Sequence, residues 1–359
     1  MTTADERFMA RAIELARAAP RPSPNPRVGA VLVRDGSIVG EGAHEGPGSP
    51  HAERFALTGV DATGATLYVT LEPCSHQGRT PPCAAAVAAA GITRVVASME
   101  DPDPRVSGRG FASLRALGVE VSVGALASDA AALNRAYVHQ RHSGRACVTL
   151  KLALTLDGRL AAADGSSRWI TGAGARTHVH ARRAEADGVV VGAGTVACDD
   201  PQLSVRGPRS ARQPARVVVD SSGRTPASAR IFEPGAEVIV ATTERSHHET
   251  QLEWKEAGAE VLVLAGGREG VDPEGLVTEL SRRGWLEIYC EGGARLSSSL
   301  LRDRLVDRLE LYYGPLLVGA GPSLAELGVA SIEGALRLRL EEVRRLEQDV
   351  LMVFERGGV

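Results

Sequence analysis

The chain has 359 residues, 43% of them hydrophobic, and a formal net charge of −3. That length exceeds one ordinary core and points to about two domains, the charge balance carries no nucleic-acid footprint, and no apolar run approaches the roughly 20 residues of a membrane span. Met1-Thr2-Thr3-Ala4-Asp5-Glu6 lacks the basic and apolar regions of a signal peptide, and five cysteines, an odd number, argue against a disulfide framework, so a reducing cytoplasm is expected.

Residues 5–18 carry Phe8, Ala12, Leu15 and Ala16 at helical spacing, which predicts an amphipathic helix stopped by the proline-rich turn at 20–26. Strands are predicted at 28–33 and 38–42, joined by Asp35-Gly36. A short helix at 51–57, a strand at 67–71 and a second short helix at 82–90 follow. Strands at 94–98 and 119–123 flank a helix near 110–117, and a single helix is expected over 129–140. This order predicts an α/β layer domain with one mixed sheet. Residues 141–145 read as a linker, and strand signals restart at 146–150. Further strands are expected at 188–191, 215–219, 238–242, 261–264, 287–290 and 308–313, alternating with helices in a second α/β domain.

The most informative stretch runs from His51 to Cys83. His51, Cys74 and Cys83 offer one imidazole and two thiols as zinc ligands, each expected near a helix N-terminus, whose dipole favours thiolate. A fourth position is left for water, whose pKa zinc lowers from about 15.7 to about 7. Glu53, two residues after the His, is placed to carry protons between water and a leaving amine, the zinc-deaminase pattern. His76 is the one nearby residue that could close the site as a structural zinc centre. The usual deaminase gap between cysteines is about two residues, whereas here it is eight. Asn25, in a Pro-Asn-Pro turn, either serves the turn alone or holds a substrate hydroxyl or carbonyl.

In the second half, residues 150–159 read as a strand ending in a turn, and a helix holding Arg176 and Arg183 follows Ser167-Arg168-Trp169. Gly192-Ala193-Gly194-Thr195 is a fragment of a dinucleotide loop without the full glycine spacing. Residues 288–300 run from a strand into Gly292-Gly293 and a serine-rich helix start. Such a helix start suits a pyrophosphate, and an ordinary tight turn has the same pattern. Only Lys151 and Lys255 among the 41 basic residues are lysines. In an arginine-rich background a retained lysine suggests chemistry that needs a tunable pKa.

Pro24-Asn25-Pro26, Val28-Gly29-Ala30-Val31, His51-Ala52-Glu53 and the unbroken run 71–83 closely resemble the bifunctional deaminase–reductases of riboflavin biosynthesis. The wide cysteine gap is that family's pattern, and cytidine and tRNA-adenosine deaminases, similar in fold, have the shorter one. Thr195-Val196, Asp199-Asp200-Pro201, Leu203 and Val205-Arg206 extend the resemblance to the reductase half. It implies a cytidine-deaminase-like α/β/α layer domain over residues 1–145 and a dihydrofolate-reductase-like α/β domain over residues 146–359. The first would hydrolyse an amine of 2,5-diamino-6-(5-phosphoribosylamino)pyrimidin-4-one with Zn2+, and Arg79 would meet its phosphate. The second would reduce the ribose with NADPH to give 5-amino-6-(5-phosphoribitylamino)uracil. Carried over by position, Ala153, Trp169, Thr195, Asp199, Ser222 and the loop Gly293, Ala294, Arg295, Leu296, Ser297, Ser298 and Ser299 would contact cofactor. Ser167, Arg183, Leu203, Arg206 and Glu291 would contact the substrate ribose phosphate, and Lys151 would lie where the sugar carbon is reduced. Gly314-Pro315-Leu316 departs from the family's common Ala-Pro-Lys. The expected partner is a small phosphorylated pyrimidine, with neither nucleic acid nor membrane, and the chain is expected to form a homo-oligomer, dimer or tetramer. Rival readings are a nucleoside or tRNA deaminase fused to an unrelated domain, a chain with one non-catalytic half, and a zinc-stapled interaction protein.

Overall fold

The computed structural model describes residues 2–75, 82–207, 212–324 and 327–357. The chain divides into two units, Met1–Gly144 and Arg145–Val359. Among the described residues no helix is long and apolar enough to cross a membrane.

The first unit contains α1 (Thr3–Ala18), β1 (Gly29–Arg34), β2 (Ser37–Ala43), α2 (Ala52–Leu57), β3 (Thr66–Val69), α3 (Cys83–Ala89), β4 (Arg94–Ala97), α4 (Arg109–Ala116), β5 (Glu120–Val123), α5 (Ala127–Leu133) and α6 (Arg135–Ser143). Its sheet has the order β2-β1-β3-β4-β5. β1 pairs antiparallel with β2 and β3, and β3, β4 and β5 run parallel. Ala52, Ala56, Ala84, Val87, Phe111 and Leu114 bring α2, α3 and α4 onto one face. Phe8, Met9, Ala12 and Ile13 bring α1 onto the other, completing a three-layer arrangement. A capping box between Thr2 and Asp5 starts α1. Asp5, buried, also receives the Tyr68 hydroxyl at 2.9 Å and the Arg94 guanidinium at 2.9 and 3.2 Å. Gly42 lets α2 lie against β2, because a Cβ there would sit 2.4 Å from the Ala52 carbonyl oxygen.

The single helix expected over 129–140 is two, and the expected linker is mostly helical, because α6 runs on to Ser143. The break falls at buried Asn134, whose side chain accepts from the Arg27 amide at 2.8 Å and donates to the Arg27 carbonyl at 2.9 Å. Gly144, at φ 76°, ends α6 in the left-handed conformation glycine adopts readily.

The second unit contains β6 (Cys147–Leu154), α7 (Ala173–Glu185), β7 (Gly188–Gly192), α8 (Ala193–Asp199), β8 (Ala215–Val219), β9 (Val238–Thr242), α9 (His248–Glu256), β10 (Glu260–Val263), α10 (Pro273–Arg282), β11 (Glu287–Cys290), α11 (Ala294–Arg302), β12 (Arg308–Tyr313), β13 (Leu338–Leu346) and β14 (Asp349–Arg356). The sheet order is β10-β9-β8-β7-β11-β6-β12-β14-β13, parallel except for the terminal hairpin. That hairpin was not foreseen. β13 is charged and largely exposed, and a register shift between Leu340 and Glu342 breaks its period-two pattern. Strand alternation sorts the site residues. Val148, Leu150, Leu152, Ile288 and Cys290 join the apolar core with residues of α10 and α11. The intervening Thr149, Lys151, Glu287, Tyr289 and Glu291 therefore point to the opposite face, where Tyr289 packs with Ala175 and Val179 of α7.

Candidate active sites

In the first unit, β2, β3 and the starts of two helices converge on His51, Cys74 and Cys83. His51 is the N-cap of α2, and Cys83 is the first residue of α3. Cys74 is in the loop after β3 rather than at a helix start, yet it receives the helix's first amides: Cys83 N–H donates to its Sγ at 3.4 Å and Ala84 N–H to its carbonyl at 3.1 Å. His51 Nδ1 is 3.6 Å from Cys74 Sγ and 3.2 Å from Cys83 Sγ. Tetrahedral zinc with Zn–S of about 2.3 Å and Zn–N of about 2.05 Å sets its ligands roughly 3.6 Å apart. One of the two N–S separations matches that spacing and the other is a few tenths of an ångström shorter, so the donor set suits zinc, and among the described residues no fourth His, Cys, Asp or Glu joins them. His76 and Arg79 lie outside the described residues.

Hydrogen bonds from Cys83 and then His51 pull the Cys74 thiol well below its ordinary range, while the hydrogen bond to Cys74 and burial push the Cys83 thiol upward. Glu53 is buried beside the group, and desolvation pushes its carboxyl upward.

Three residues packed around this centre were not anticipated as participants. His44, buried, stacks edge-on against His51 with ring centroids 5.5 Å apart. Its Nδ1 lies 3.0 Å from the Pro50 carbonyl, which can only accept, so Nδ1 carries the proton. Nε2 is then the acceptor for Asn25 Nδ2 at 2.9 Å, and the Asn25 carbonyl oxygen is left to other donors. Glu72 accepts N–H bonds from Asp101, Gly108, Gly110 and Phe111 at 2.7–3.2 Å, fixing the chain just before Pro73-Cys74. The signals available were slight: a second His seven residues before His51, and an acidic residue two before Cys74. The third, Gly110, carries no functional side chain, but a Cβ there would lie 1.9 Å from the Pro73 carbonyl oxygen.

In the second unit, Lys151 on β6, Glu291 after β11 and Arg183 on α7 meet on one face of the sheet. Lys151 Nζ is 3.9 Å from Glu291 Oε2. Arg183 holds the same carboxylate through two bonds of 2.5 and 3.0 Å. Burial pushes the Lys151 ammonium below its usual range, partly offset by Glu291. Burial would raise Glu291, but Arg183, with Lys151 and His180, more than offsets it and the carboxylate stays charged.

The other expected cofactor and substrate residues are distributed over β6, α8, the start of α11 and several loops. Ala153 follows Lys151 by two on β6, with Tyr312 as its register partner. Thr195, in the first turn of α8, faces Gly293, whose Cβ position is 3.4 Å from Thr195 Oγ1. The loops after β7 and β11 are therefore adjacent. Trp169 is 67% exposed, with the Arg176 guanidinium 4.5 Å from its ring. Asp199 pairs with Arg168 at 3.5 Å, and the Arg168 guanidinium also donates to the Asp199 carbonyl. Ser167 is half-buried, its carbonyl accepting from Ile170 at 3.0 Å. Ser222 is exposed on a turn built on buried Asp220, which accepts four successive amides at 2.6–3.3 Å.

Two expectations need revision. The serine-rich start of α11 does not present a row of hydroxyls: Ser297 and Ser298 are buried and donate to the Gly292 and Ala294 carbonyls. What the loop offers is the uncapped backbone N–H groups that follow Gly293. Leu203 is 2% exposed within the core around Val189 and Val218, so only its main chain, at φ 52°, can face a ligand. Arg206, three residues on, is exposed.

Residues 146–352 match the family model described as RibD C-terminal domain, and residues 2–99 match the cytidine and deoxycytidylate deaminase zinc-binding region. The chain is 40% identical over 355 residues to the riboflavin biosynthesis protein RibD of Aquifex aeolicus, with 98% of each chain covered. It is 41% identical over 366 residues to that of Escherichia coli, covering 97% of this chain and 98% of the other. Among solved structures, Acinetobacter baumannii RibD (form 1) superposes with a TM-score of 0.89 at 38% identity, 99% of each chain covered. A diaminohydroxyphosphoribosylaminopyrimidine deaminase/5-amino-6-(5-phosphoribosylamino)uracil reductase from Thermotoga maritima gives 0.87 at 35% identity, also with 99% of each chain covered.

Proposed function

The chain belongs to the RibD family of riboflavin biosynthesis proteins, and on that premise we propose which of its residues perform the family's two reactions. It is a bifunctional enzyme, a zinc-dependent deaminase joined to an NADPH-dependent reductase, with a cytidine-deaminase-like and a dihydrofolate-reductase-like α/β domain. We assign the deaminase to residues 1–145 and the reductase to residues 146–359. The observation that carries the reading is the convergence of His51, Cys74 and Cys83 beside a buried, non-ligating Glu53.

His51, Cys74 and Cys83 would hold the zinc, which when bound would supply activated water at neutral pH. Glu53, raised by burial, is suited to take up a proton there and release it to the departing amine of 2,5-diamino-6-(5-phosphoribosylamino)pyrimidin-4-one. His44 fixes the Asn25 amide so that its carbonyl oxygen can accept from the substrate. In the second unit the helix start after Gly293 and Thr195 offers N–H and hydroxyl donors to the cofactor's phosphates. Ala153, Trp169, Asp199 and Ser222 complete the cofactor contacts. Lys151 sits against the sugar carbon that receives hydride, with Glu291 and Arg183 setting its position and charge. Ser167, the Leu203 main chain and Arg206 take the ribose phosphate. The product is 5-amino-6-(5-phosphoribitylamino)uracil.

Five free thiols, three of them buried, suit a reducing cytoplasm. β13 leaves an outer strand with Leu340 and Val343 exposed, which suits association of the chain with a second copy.

The test is incubation of the zinc-loaded protein with the diaminopyrimidine phosphate, with and without NADPH. Ammonia in both cases, and the ribityl product only with NADPH, is the expected outcome. No ammonia in either would overturn the reading.

A further inference from the structure

His180 on α7 is absent from the site set assigned above, yet it touches the segment that set depends on. His180 and Arg183 lie three residues apart on one helix face. Both reach the Ser204 carbonyl, His180 Nδ1 at 3.0 Å and Arg183 Nη1 at 3.0 Å. A carbonyl oxygen only accepts, so Nδ1 carries the imidazole proton. Burial holds the ring below its usual pKa, in keeping with the neutral tautomer.

The segment needs such a hold. Leu203 adopts φ 52°, a left-handed conformation unfavourable for a branched side chain, while its side chain is fixed in the core. Gln213 brackets Val205, accepting from its amide at 2.7 Å and donating to its carbonyl at 3.1 Å. Ser204 Oγ donates to Gln202 Oε1 at 3.0 Å. Gln213 on Val205 and His180 with Arg183 on Ser204 thus set the direction in which Arg206 leaves the turn. The remaining Arg183 donors go to Glu291, the carboxylate beside Lys151.

We propose that His180 is a positioning residue for the reductase: through Nδ1–H to the Ser204 carbonyl it holds the 203–206 turn that receives the substrate phosphate. The proposal rests on reading that turn, and Arg206 in particular, as the phosphate contact. In this role His180 acts through the turn and not on the reacting atoms, so its loss weakens substrate capture and leaves hydride transfer at saturation largely intact.

The experiment is steady-state NADPH oxidation with the deaminated intermediate as varied substrate, in the full-length protein and in His180→Ala, His180→Asn and Arg206→Ala. Asn places an N–H donor where Nδ1 stood. Loss of one partly buried hydrogen bond predicts a KM raised about tenfold in His180→Ala, with kcat within about twofold and ammonia release unchanged. His180→Asn returns KM to near the parent value, and Arg206→Ala raises it as well. If His180→Ala is too unstable to assay, His180→Gln, whose donor is displaced by one bond, takes its place with the same expected rise. A parent-like KM in the His180 variant while Arg206→Ala raises KM overturns the role of His180 and leaves the phosphate reading standing. An Asn variant as impaired as the Ala variant overturns the hydrogen-bond argument. A parent-like KM in Arg206→Ala removes the phosphate reading, and the proposal with it.

Discussion

Lys151 Nζ stands 3.9 Å from Glu291 Oε2, and the same carboxylate is gripped more closely by Arg183 at 2.5 and 3.0 Å. The lysine therefore has a charged neighbour that is not its exclusive partner. Burial keeps its ammonium easier to deprotonate than an exposed lysine, with Arg183 acting in the same sense and Glu291, Asp199 and Glu310 opposing it. Replacing Lys151 with Ala is expected to lower NADPH oxidation by about 10²-fold or more, with ammonia release unchanged. Parallel assays of the two activities check this.

The same geometry predicts a pH shift. A protonated Lys151 is present below its pKa and lost as pH rises through it, so a reductase that uses the ammonium loses activity on its alkaline side. In Glu291→Gln the supporting negative charge is gone and that limb moves to lower pH. A pH–kcat profile with an unmoved alkaline limb would show that Lys151 is not the titrating group.

Asp5 carries a stability prediction. Hydrogen bonds from Arg94, ahead of those from Thr2 and Tyr68, hold its carboxyl far below the ordinary range despite burial. A depressed carboxylate contributes stability that is present above its unfolded pKa of about 3.9 and lost as pH falls toward the folded value. Asp5→Asn is expected to cost about 1–3 kcal/mol at pH 7, with a smaller difference from the parent at pH 3. Urea midpoints at the two pH values measure it.

Zinc removal should separate the two units. Cys83→Ser, or chelation of the parent protein, is expected to abolish ammonia release together with bound zinc. Oxidation of NADPH with the deaminated intermediate is expected to persist, because Lys151, Glu291 and Arg183 belong to the other unit. Zinc content and the two assays on one preparation decide it.

Gly110→Ala tests the support under Cys74. The added Cβ would meet the Pro73 carbonyl oxygen at 1.9 Å, inside any permitted contact, so the backbone before Cys74 must shift. A loss of about 1–3 kcal/mol and weaker zinc retention are expected, read from thermal unfolding and competition with a chelator.

The grouping of His51, Cys74 and Cys83 was legible because residue type and short-range pattern single these side chains out, with Glu53, before any contact is known. The order of strands up to β12 was legible for the same reason, since apolar periodicity is local. The rest depends on contacts distant in sequence. Nothing near Asn134 says that its side chain will bind the Arg27 backbone and break a helix in two. His44 matters because it bridges Asn25 and Pro50, and Glu72 because it gathers four amides from residues 101–111. The serines of α11 looked like phosphate donors in one dimension, whereas helical geometry turns Ser297 and Ser298 back onto their own turn. The pairing of Arg183 with Glu291 needs α7 laid across the sheet, which no local pattern encodes.

The central claim is that two chemically independent centres act in order, the first through Glu53 and the second through Lys151. Its most direct test is NADPH oxidation by Glu53→Gln, supplied in turn with the diaminopyrimidine phosphate and with its deaminated product. The account predicts no oxidation with the first and the parent rate with the second, zinc content being unchanged. Parent-rate oxidation with the diaminopyrimidine, or loss of oxidation with both substrates, would contradict it.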